Sequence, residues 1–468
     1  MKANKIKPEK PGGFLDFNTS EFLAREEMLR IINGVFRSFG YNPIETPMVE
    51  FSKVLVGEDE TSKNIFQVKS RGSSNEDNLS LRFDHTVPFA RFLSANPYND
   101  KKREGVKLPW RRMVLGPVFR SDSPQKGRYR QFYQFDVDIA GSSLMLADAE
   151  IIAIIYQTLS ALGLKRFLIR INNRKILNGL AELIGVSGRG QVSADDITKE
   201  VMRILDKIPK IGFNQVLSEL QMTPENEYDP SPGLLPDAIT RISRFLEISG
   251  SNSIKLDQAE AVFHRISIAQ EGISELRQII SYLSDFGVPE GTVEIDFSIA
   301  RGLDYYTGPV FESVLVDAPE FGSVFSGGRY NDLVARFTGS ELPAVGASIG
   351  VDRLFAALQQ LELVKVKSIT TAEVLILRLT NSHDSYYLRL AKQLRDLGLK
   401  AELCLLEDTT FKSQFNFAVS QNVKFVIIAG ADEIHHDVIK VKNLFTREQT
   451  EVPTERMSDY FISLSKTM

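Results

Sequence analysis

One cysteine, Cys404, and one tryptophan occur among the 468 residues of this chain. A lone cysteine excludes an intramolecular disulfide and a cysteine-built zinc cluster, and it fits a reducing compartment. Its expected place is a buried strand, as a small hydrophobe. Long apolar runs are missing as well: nothing approaches the ~18 residues of a membrane helix. The Lys-rich start, Met1 to Lys10, lacks the apolar core of a signal peptide. No membrane partner and a cytoplasmic location are expected. Neither sign of charge dominates, the formal net charge being −4, so bulk electrostatics announce no nucleic-acid partner. A phosphate-binding Walker loop is also absent. The glycine-rich pieces Ser326-Gly-Gly-Arg-Tyr-Asn-Asp332 and Gly346-Ala-Ser-Ile-Gly-Val-Asp-Arg353 have the wrong spacing, which weakens a kinase or dinucleotide-binding reading.

With 43% hydrophobic and 25% charged residues, the chain has ordinary globular composition and is long enough for two or three cores. Charge is uneven locally. Lys101 to Arg130 holds ten Lys/Arg against two acids, Glu104 and Asp122. Such a stretch is ordinarily a solvated face, and surface ion pairs are expected for Arg130 and most of Lys101 to Arg112. Pro109-Trp110 and the period-2 run Val114 to Phe119 interrupt it, so some of these arginines must point into a site.

Residues 20 to 39 place Phe22, Leu29, Ile32, Phe36 and Phe39 near helical spacing, stopping at Gly40. Tyr41 to Glu50 carries two prolines, which forbid a helix and suit an edge or interface strand. The turn-rich Ser70 to Asn78 joins two strands, the second leading into Arg82-Phe-Asp-His-Thr86. In Gln134 to Ala140, Phe135, Val137 and Ile139 alternate with Gln134, Asp136 and Asp138, so the three polar side chains share one face. The same alternation from Val293 to Ile299 sets Glu294, Asp296 and Ser298 on one side and runs into Arg301. The two strands are expected to build one pocket floor.

Between them, 175–287 has amphipathic helical periodicity and no catalytic cluster, and is expected to be an inserted helical domain. From Glu373 the pattern becomes strand (to Leu379), helix (Ser385 to Leu397), strand (Leu399 to Leu406), helix (Phe411 to Gln421) and strand (Val423 to Gly430). That alternation predicts a small α/β domain with parallel strands. The expected division is a catalytic domain in two parts, 1–174 and 288–363, the insertion 175–287, a linker 364–371 and a last domain 372–468.

Activating a carboxylate with ATP requires positive charge spread along the triphosphate and an aligned carboxylate. Arginines do this well, because they stay protonated and fork onto phosphate oxygens. Arg120, Arg128, Arg301 and Arg353 stand in four separate glycine- or aromatic-rich contexts. The block Phe119 to Asp138 resembles motif 2 of class II aminoacyl-tRNA synthetases, Ala347 to Leu354 resembles motif 3, and Tyr41 to Glu50 resembles motif 1. Within that class, Arg301-Gly-Leu-Asp-Tyr-Tyr306 and Gly327-Gly-Arg-Tyr330 are similar to the histidine-pocket signatures of the histidyl-tRNA synthetase family. The resemblance covers nearly the whole chain, and is weakest in the insertion and in residues 1 to 12.

The resemblance implies an α+β fold: an antiparallel-sheet catalytic domain with a helical insertion and a C-terminal α/β anticodon-binding domain. It implies ATP-dependent activation of L-histidine and transfer to tRNA(His). It further implies that Arg120 meets the α-phosphate, Arg128 and Arg353 the outer phosphates, and that Phe132 stacks on adenine beneath Arg353. Asp122 stands where a glutamate is common and contacts adenine or metal. Arg301 sits by the α-phosphate and substrate carboxylate, and one Mg²⁺ accompanies ATP. Asp84, Thr86 and Gln134 receive the α-ammonium; Asp138 and Tyr306 hydrogen-bond the ring nitrogens, with Tyr305 and Tyr330 lining the pocket. Some bacterial relatives carry glutamate at the positions of Asp84 and Asp138.

A neutral imidazole has one donor and one acceptor, so a carboxylate opposite a hydroxyl satisfies both. Leaving that pair without partners penalises apolar competitors by roughly 10⁴- to 10⁵-fold. Gln125 is implied at the tRNA acceptor end, and pairing through motif 1 implies a homodimer. The rival is a catalytically silent paralogue, the regulatory subunit of ATP phosphoribosyltransferase. It typically lacks the C-terminal domain and members of the arginine set, all four of which this chain retains.

Overall fold

The structure, a computed structural model, describes residues 6–56, 64–69, 78–96, 105–124, 127–299, 306–364 and 369–466. The chain divides into two compact units, Met1–Leu15 with Met28–Val364, and Asp16–Glu27 with Lys365–Met468.

Strands of the first unit are β1 (Asn42–Pro43), β2 (Val49–Phe51), β3 (Gln67–Val68), β4 (Leu79–Leu81), β5 (Trp110–Phe119), β6 (Gln131–Ala140), β7 (Phe167–Asn173), β8 (Val293–Ile295), β9 (Pro309–Leu315), β10 (Ser323–Arg329) and β11 (Ala344–Gly350). Eight of them form one sheet in the order β1-β5-β6-β11-β10-β9-β7-β8, while β2, β4 and β3 form a small antiparallel sheet. Only the outermost pairs of the large sheet, β1 with β5 and β7 with β8, run parallel.

Alternation in β6 decides the layering. Phe135, Val137 and Ile139 face the apolar side, where Phe36 of helix Thr19–Ser38 meets Phe135 edge-on at 4.7 Å. Helix Met145–Ala161 packs there across β6, β7, β9, β10 and β11, and is apolar almost all round because it is covered on nearly every side. Met28, Ile32 and Phe36 form the buried stripe of the first helix, which ends before Gly40 at φ +80°. Phe22, expected in that stripe, is 52% exposed six residues before Met28.

The polar row of β6 faces the other way but is not wet. Gln134, Asp136 and Asp138 are all buried, flanked by β5 and β11. The expectation that the 293–299 segment shares this floor fails. β8 has only three residues and lies at the far edge beside β7, where Glu294 pairs with Lys255 and Asp296 with Arg170. A two-residue period reports which face a side chain takes, not which strand lies beside it.

Between β7 and β8 the described chain is helical. Arg174–Leu183 and Ser267–Leu283 pack on each other, on β7 and, for the latter, on helix Met145–Ala161. Helix Ala194–Leu205 begins with a Ser193–Asp196 capping box and buries Ile197, Val201, Ile204 and Leu205.

In the second unit, β12 (Val374–Ile376), β13 (Ala401–Leu403), β14 (Phe425–Ile428), β15 (Val438–Asn443) and β16 (Gln449–Pro453) form a sheet ordered β13-β12-β14-β15-β16. The first three are parallel, as the alternation predicts; β15 and β16 add an antiparallel hairpin that was not expected. β12 and β14 are buried on both faces. Tyr387, Leu390, Leu394, Met457 and Phe461 cover one side, and Cys404, Ala418 and Phe415 the other, which explains their unbroken apolar runs. No helix among the described residues is long and apolar enough to cross a membrane.

Candidate active site

The hairpin of β5 and β6 builds the centre of the site. Its register sets Arg112 opposite Asp138, Val114 opposite Asp136 and Gly116 opposite Gln134, while β11 sets Gly346, Ser348 and Gly350 opposite the same three residues. Side chains directly opposite across a ladder share a face. Above this row lies a cavity of about 1180 Å³.

Eleven of the residues singled out from the sequence line it: Asp84, Thr86, Arg120, Asp122, Arg128, Phe132, Gln134, Asp138, Tyr306, Tyr330 and Arg353. Gln125, Arg301 and Tyr305 lie outside the described residues.

At one end, Asp84 precedes helix Thr86–Ala95 and accepts from the Val87 amide at 3.2 Å through Oδ1. Its Oδ2, buried, has no hydrogen-bond partner among the described residues, and neither does Oε1 of Gln134. Gln134 donates from Nε2 to Ser348 Oγ at 2.6 Å, and Ser348 donates in turn to Asp136. That chain fixes the amide of Gln134, so its oxygen is left as an acceptor. Two unsatisfied buried acceptors fit a cation with several donors, such as an ammonium group.

At the other end Asp138 accepts from the Tyr330 hydroxyl through Oδ1, and its Oδ2 lies 2.6 Å from Arg112 Nη2. Gly346 leaves room for this carboxylate: a Cβ there would overlap the Asp138 side chain and the Val137 carbonyl. Tyr330 follows Arg329, whose guanidinium is buried against Asp148 and donates to the carbonyls of Ser142 (2.8 Å) and Leu144 (3.2 Å). The end of β10 is thereby pinned.

The basic side chains sit along the cavity beside this row. Arg120 donates from Nε to the Phe83 carbonyl at 3.1 Å, with its guanidinium carbon 5.2 Å from the centre of the Phe132 ring. Arg353 stands in the first turn of helix Val351–Gln360 and donates to the Ser323 carbonyl at 2.7 Å. Its neighbour Asp352 accepts from the Tyr133 amide at 2.7 Å, tying the helix to β6. Arg128 lines the same cavity.

Burial dominates the electrostatics. It raises the Asp84 and Asp138 carboxyls, opposed for Asp84 by the Val87 amide and Arg120, and for Asp138 by Arg112 and Tyr330. Asp136 is pushed up to about 7, with Arg112 and Ser348 opposing burial and Asp138 reinforcing it. Its raised value has a sign for stability. Between the unfolded value near 4 and about 7 the folded state holds the extra proton, so Asp136 costs stability as pH rises through that window. Asp136→Asn is expected to raise the thermal midpoint by a few degrees at pH 8, with the gain shrinking toward pH 5. Calorimetry across that range checks it, and an equal change at every pH would contradict the assignment.

Three features escape the sequence reading. Arg112, at the end of a run most of which was expected at the surface, is 0% exposed. Its parity with Asp138 about the hairpin loop was the available signal. Ser348 appears in the motif 3 stretch without an evident role until β11 is seen beside β6. The third is the polar face of helix Ala194–Leu205, which reaches the cavity through Asp196, Lys199, Glu200 and Arg203, a long-range approach that local periodicity does not encode.

The fold and the cavity together define a class II aminoacyl-tRNA synthetase. A family model described as Histidyl-tRNA synthetase matches residues 13–354, and one described as Anticodon binding domain matches residues 373–464. The chain belongs to the histidyl-tRNA synthetase family, enzymes that ligate histidine to tRNA. It is 37% identical over 460 residues to a histidine–tRNA ligase of Clostridium tetani, covering 97% of this chain and 98% of that protein. The crystal structure of histidyl-tRNA synthetase from Nostoc sp. PCC 7120 is 32% identical with a TM-score of 0.80, covering 97% and 99%. A structure described as an ATP phosphoribosyltransferase regulatory subunit/histidyl-tRNA synthetase from Bacillus halodurans C is 22% identical with a TM-score of 0.69, covering 90% and 98%. It shares the fold. The catalytically silent alternative is not favoured.

Proposed function

We propose that the cavity holds histidine along the β6 row and ATP beside it. The observation that carries this reading is the pairing, in one cavity, of unsatisfied acceptors at Asp84 and Gln134 with an anchored carboxylate at Asp138. The acceptors suit an α-ammonium, with Thr86 beside them. Asp138 accepts from one imidazole nitrogen and Tyr306 donates to the other, while Tyr330 steadies Asp138. The substrate carboxylate then lies toward Arg120, where its oxygen attacks the α-phosphorus, forms the acyl-phosphate bond and displaces pyrophosphate. Arg120 stabilises charge on the α-phosphate, and Arg128 and Arg353 hold the outer phosphates. Phe132 and Arg353 bracket the adenine, with Asp122 at its edge. For Arg301 and Tyr305 at the histidine, and Gln125 at the acceptor end, the support is the resemblance of their motifs.

Mg²⁺ belongs to this reading as a partner of the triphosphate, whose oxygens supply hard ligands. Among the described residues no three His, Cys, Asp or Glu side chains group as a metal cage. A 3′-terminal hydroxyl of tRNA(His) then attacks the acyl carbon and releases AMP. Residues 175–287 form the inserted domain, 364–371 the linker and 372–468 the anticodon-binding domain. Met48, Val49, Phe51 and Leu115, large apolar side chains exposed along the motif 1 segment and β5, support a homodimer through that edge. The location is cytoplasmic.

Pyrophosphate exchange with ATP, Mg²⁺ and a panel of amino acids tests the reading. Exchange with histidine is expected to exceed that with any apolar amino acid by roughly 10⁴-fold, because such a ligand brings no ring donor to Asp138 and no ring acceptor to Tyr306. Comparable exchange with another amino acid would remove the specificity assigned to the pocket.

A further inference from the structure

We propose that Arg112 is the positioning residue of the histidine pocket: buried beside the β6 row, it holds Asp138 as an anionic acceptor, so that the ring is taken up as neutral imidazole. This rests on the reading of Asp138 as the imidazole partner.

The geometry singles Arg112 out. Its guanidinium carbon lies 4.2 Å from the centre of the Phe89 ring, Nη2 is 2.6 Å from Asp138 Oδ2, and the same nitrogen donates to the His85 carbonyl at 3.4 Å. Nε and Nη1 have no hydrogen-bond partner among the described residues, so the side chain is committed to charge more than to a saturated network. It does not line the cavity, and substrate meets it only through Asp138.

The groups around the pair are Asp136 on the same strand, Asp84 and His85 before helix Thr86–Ala95, Arg82 in the same segment, Tyr330 after β10, and Tyr306 and Tyr41. His85 is held down at about 3, by burial first and then by Arg82 and Arg112, and is neutral. Tyr330 is pushed well above its ordinary value by burial and Asp138, so it remains a donor. After burial itself, Arg112 is the strongest influence on both Asp136 and Asp138, and it also acts on Asp84. An uncompensated carboxylate in such a place takes up a proton, and a neutral acid is a weaker acceptor than its anion.

The sign of the pH response follows. With Arg112 removed, the Asp138 value rises. Histidine affinity is then lost below the new value and recovers as pH increases, over a higher pH range than in the unmodified enzyme. A pocket that instead took the charged ring would respond in the opposite direction.

The test measures histidine and ATP KM by pyrophosphate exchange from pH 6 to 9 for Arg112→Met, Arg112→Lys, Asp138→Asn and the double variant Arg112→Met/Asp138→Asn. Arg112→Met is expected to raise histidine KM roughly a hundredfold at pH 7, as expected for breaking a buried charge pair. Its histidine KM should fall with rising pH and its ATP KM should stay unchanged. Arg112→Lys, which keeps the cation, should stay within roughly tenfold, with a pH dependence close to that of the unmodified enzyme. The double variant buries neither charge and should fold and match Asp138→Asn, since Arg112 acts through that carboxylate. A penalty for Arg112→Met that is equal at every pH or rises with pH, a further loss in the double variant, or its failure to fold would overturn the proposal. Near-normal histidine KM in Asp138→Asn would instead overturn the reading of the pocket on which it rests.

Discussion

Replacing Arg120 with alanine is expected to slow histidine-dependent pyrophosphate exchange by on the order of 10³, the upper range for removing one preorganised donor from a developing negative charge. The guanidinium is held before substrate arrives, by the Phe83 carbonyl at 3.1 Å and by the Phe132 ring. Little reorganisation is then needed as charge builds on the α-phosphate, and an exposed arginine elsewhere in the cavity cannot replace it. The loss should fall mainly on kcat. Arg120 also helps to keep Asp84 ionised, so histidine KM should rise modestly, most at low pH. Single-turnover adenylation separates the two effects, and rates equal to the unmodified enzyme would remove Arg120 from the chemical step.

Gly346→Ala is expected to be as damaging for a different reason. β11 runs beside β6 with Gly346 directly opposite Asp138, and an added methyl would overlap that carboxylate and the Val137 carbonyl. Asp138 cannot retreat, because Arg112 and Tyr330 hold it from the other sides. The carboxylate must leave the position from which it meets the ring. The result should be a rise in histidine KM of about 10³-fold, comparable to losing a buried charged hydrogen bond, with ATP KM close to normal. Histidine titration followed by calorimetry would register the change; an unaltered affinity would show that Asp138 is not the specificity contact. Circular dichroism separates this outcome from misfolding.

Local signals carried much of the site. The alternation of Gln134, Asp136 and Asp138 marks a strand with one polar face, and the aromatic and glycine contexts of Arg120, Arg128 and Arg353 mark them as more than surface charge. What stayed hidden depends on register and on which strands meet. Arg112 sits in a basic run that reads as solvated, and only its place opposite Asp138 reveals burial. Glu294 and Asp296 show the same alternation as the β6 row, yet β8 lies at the sheet edge and their partners are Lys255 and Arg170. The β15–β16 hairpin escaped because its outer strand is largely solvated and lacks an apolar run. A period of two fixes orientation, whereas neighbourhood is set by contacts distant in sequence.

Ser348 and Arg353 stand on one continuous path, from β11 straight into helix Val351–Gln360, and Asp352 bolts that path to Tyr133. In the proposed reading, amino-acid recognition and nucleotide recognition are therefore mounted on a common beam. A tilt of that beam would spoil the spacing between attacking oxygen and phosphorus without breaking a single contact to either substrate, so losses in turnover can arise there while both binding constants look healthy.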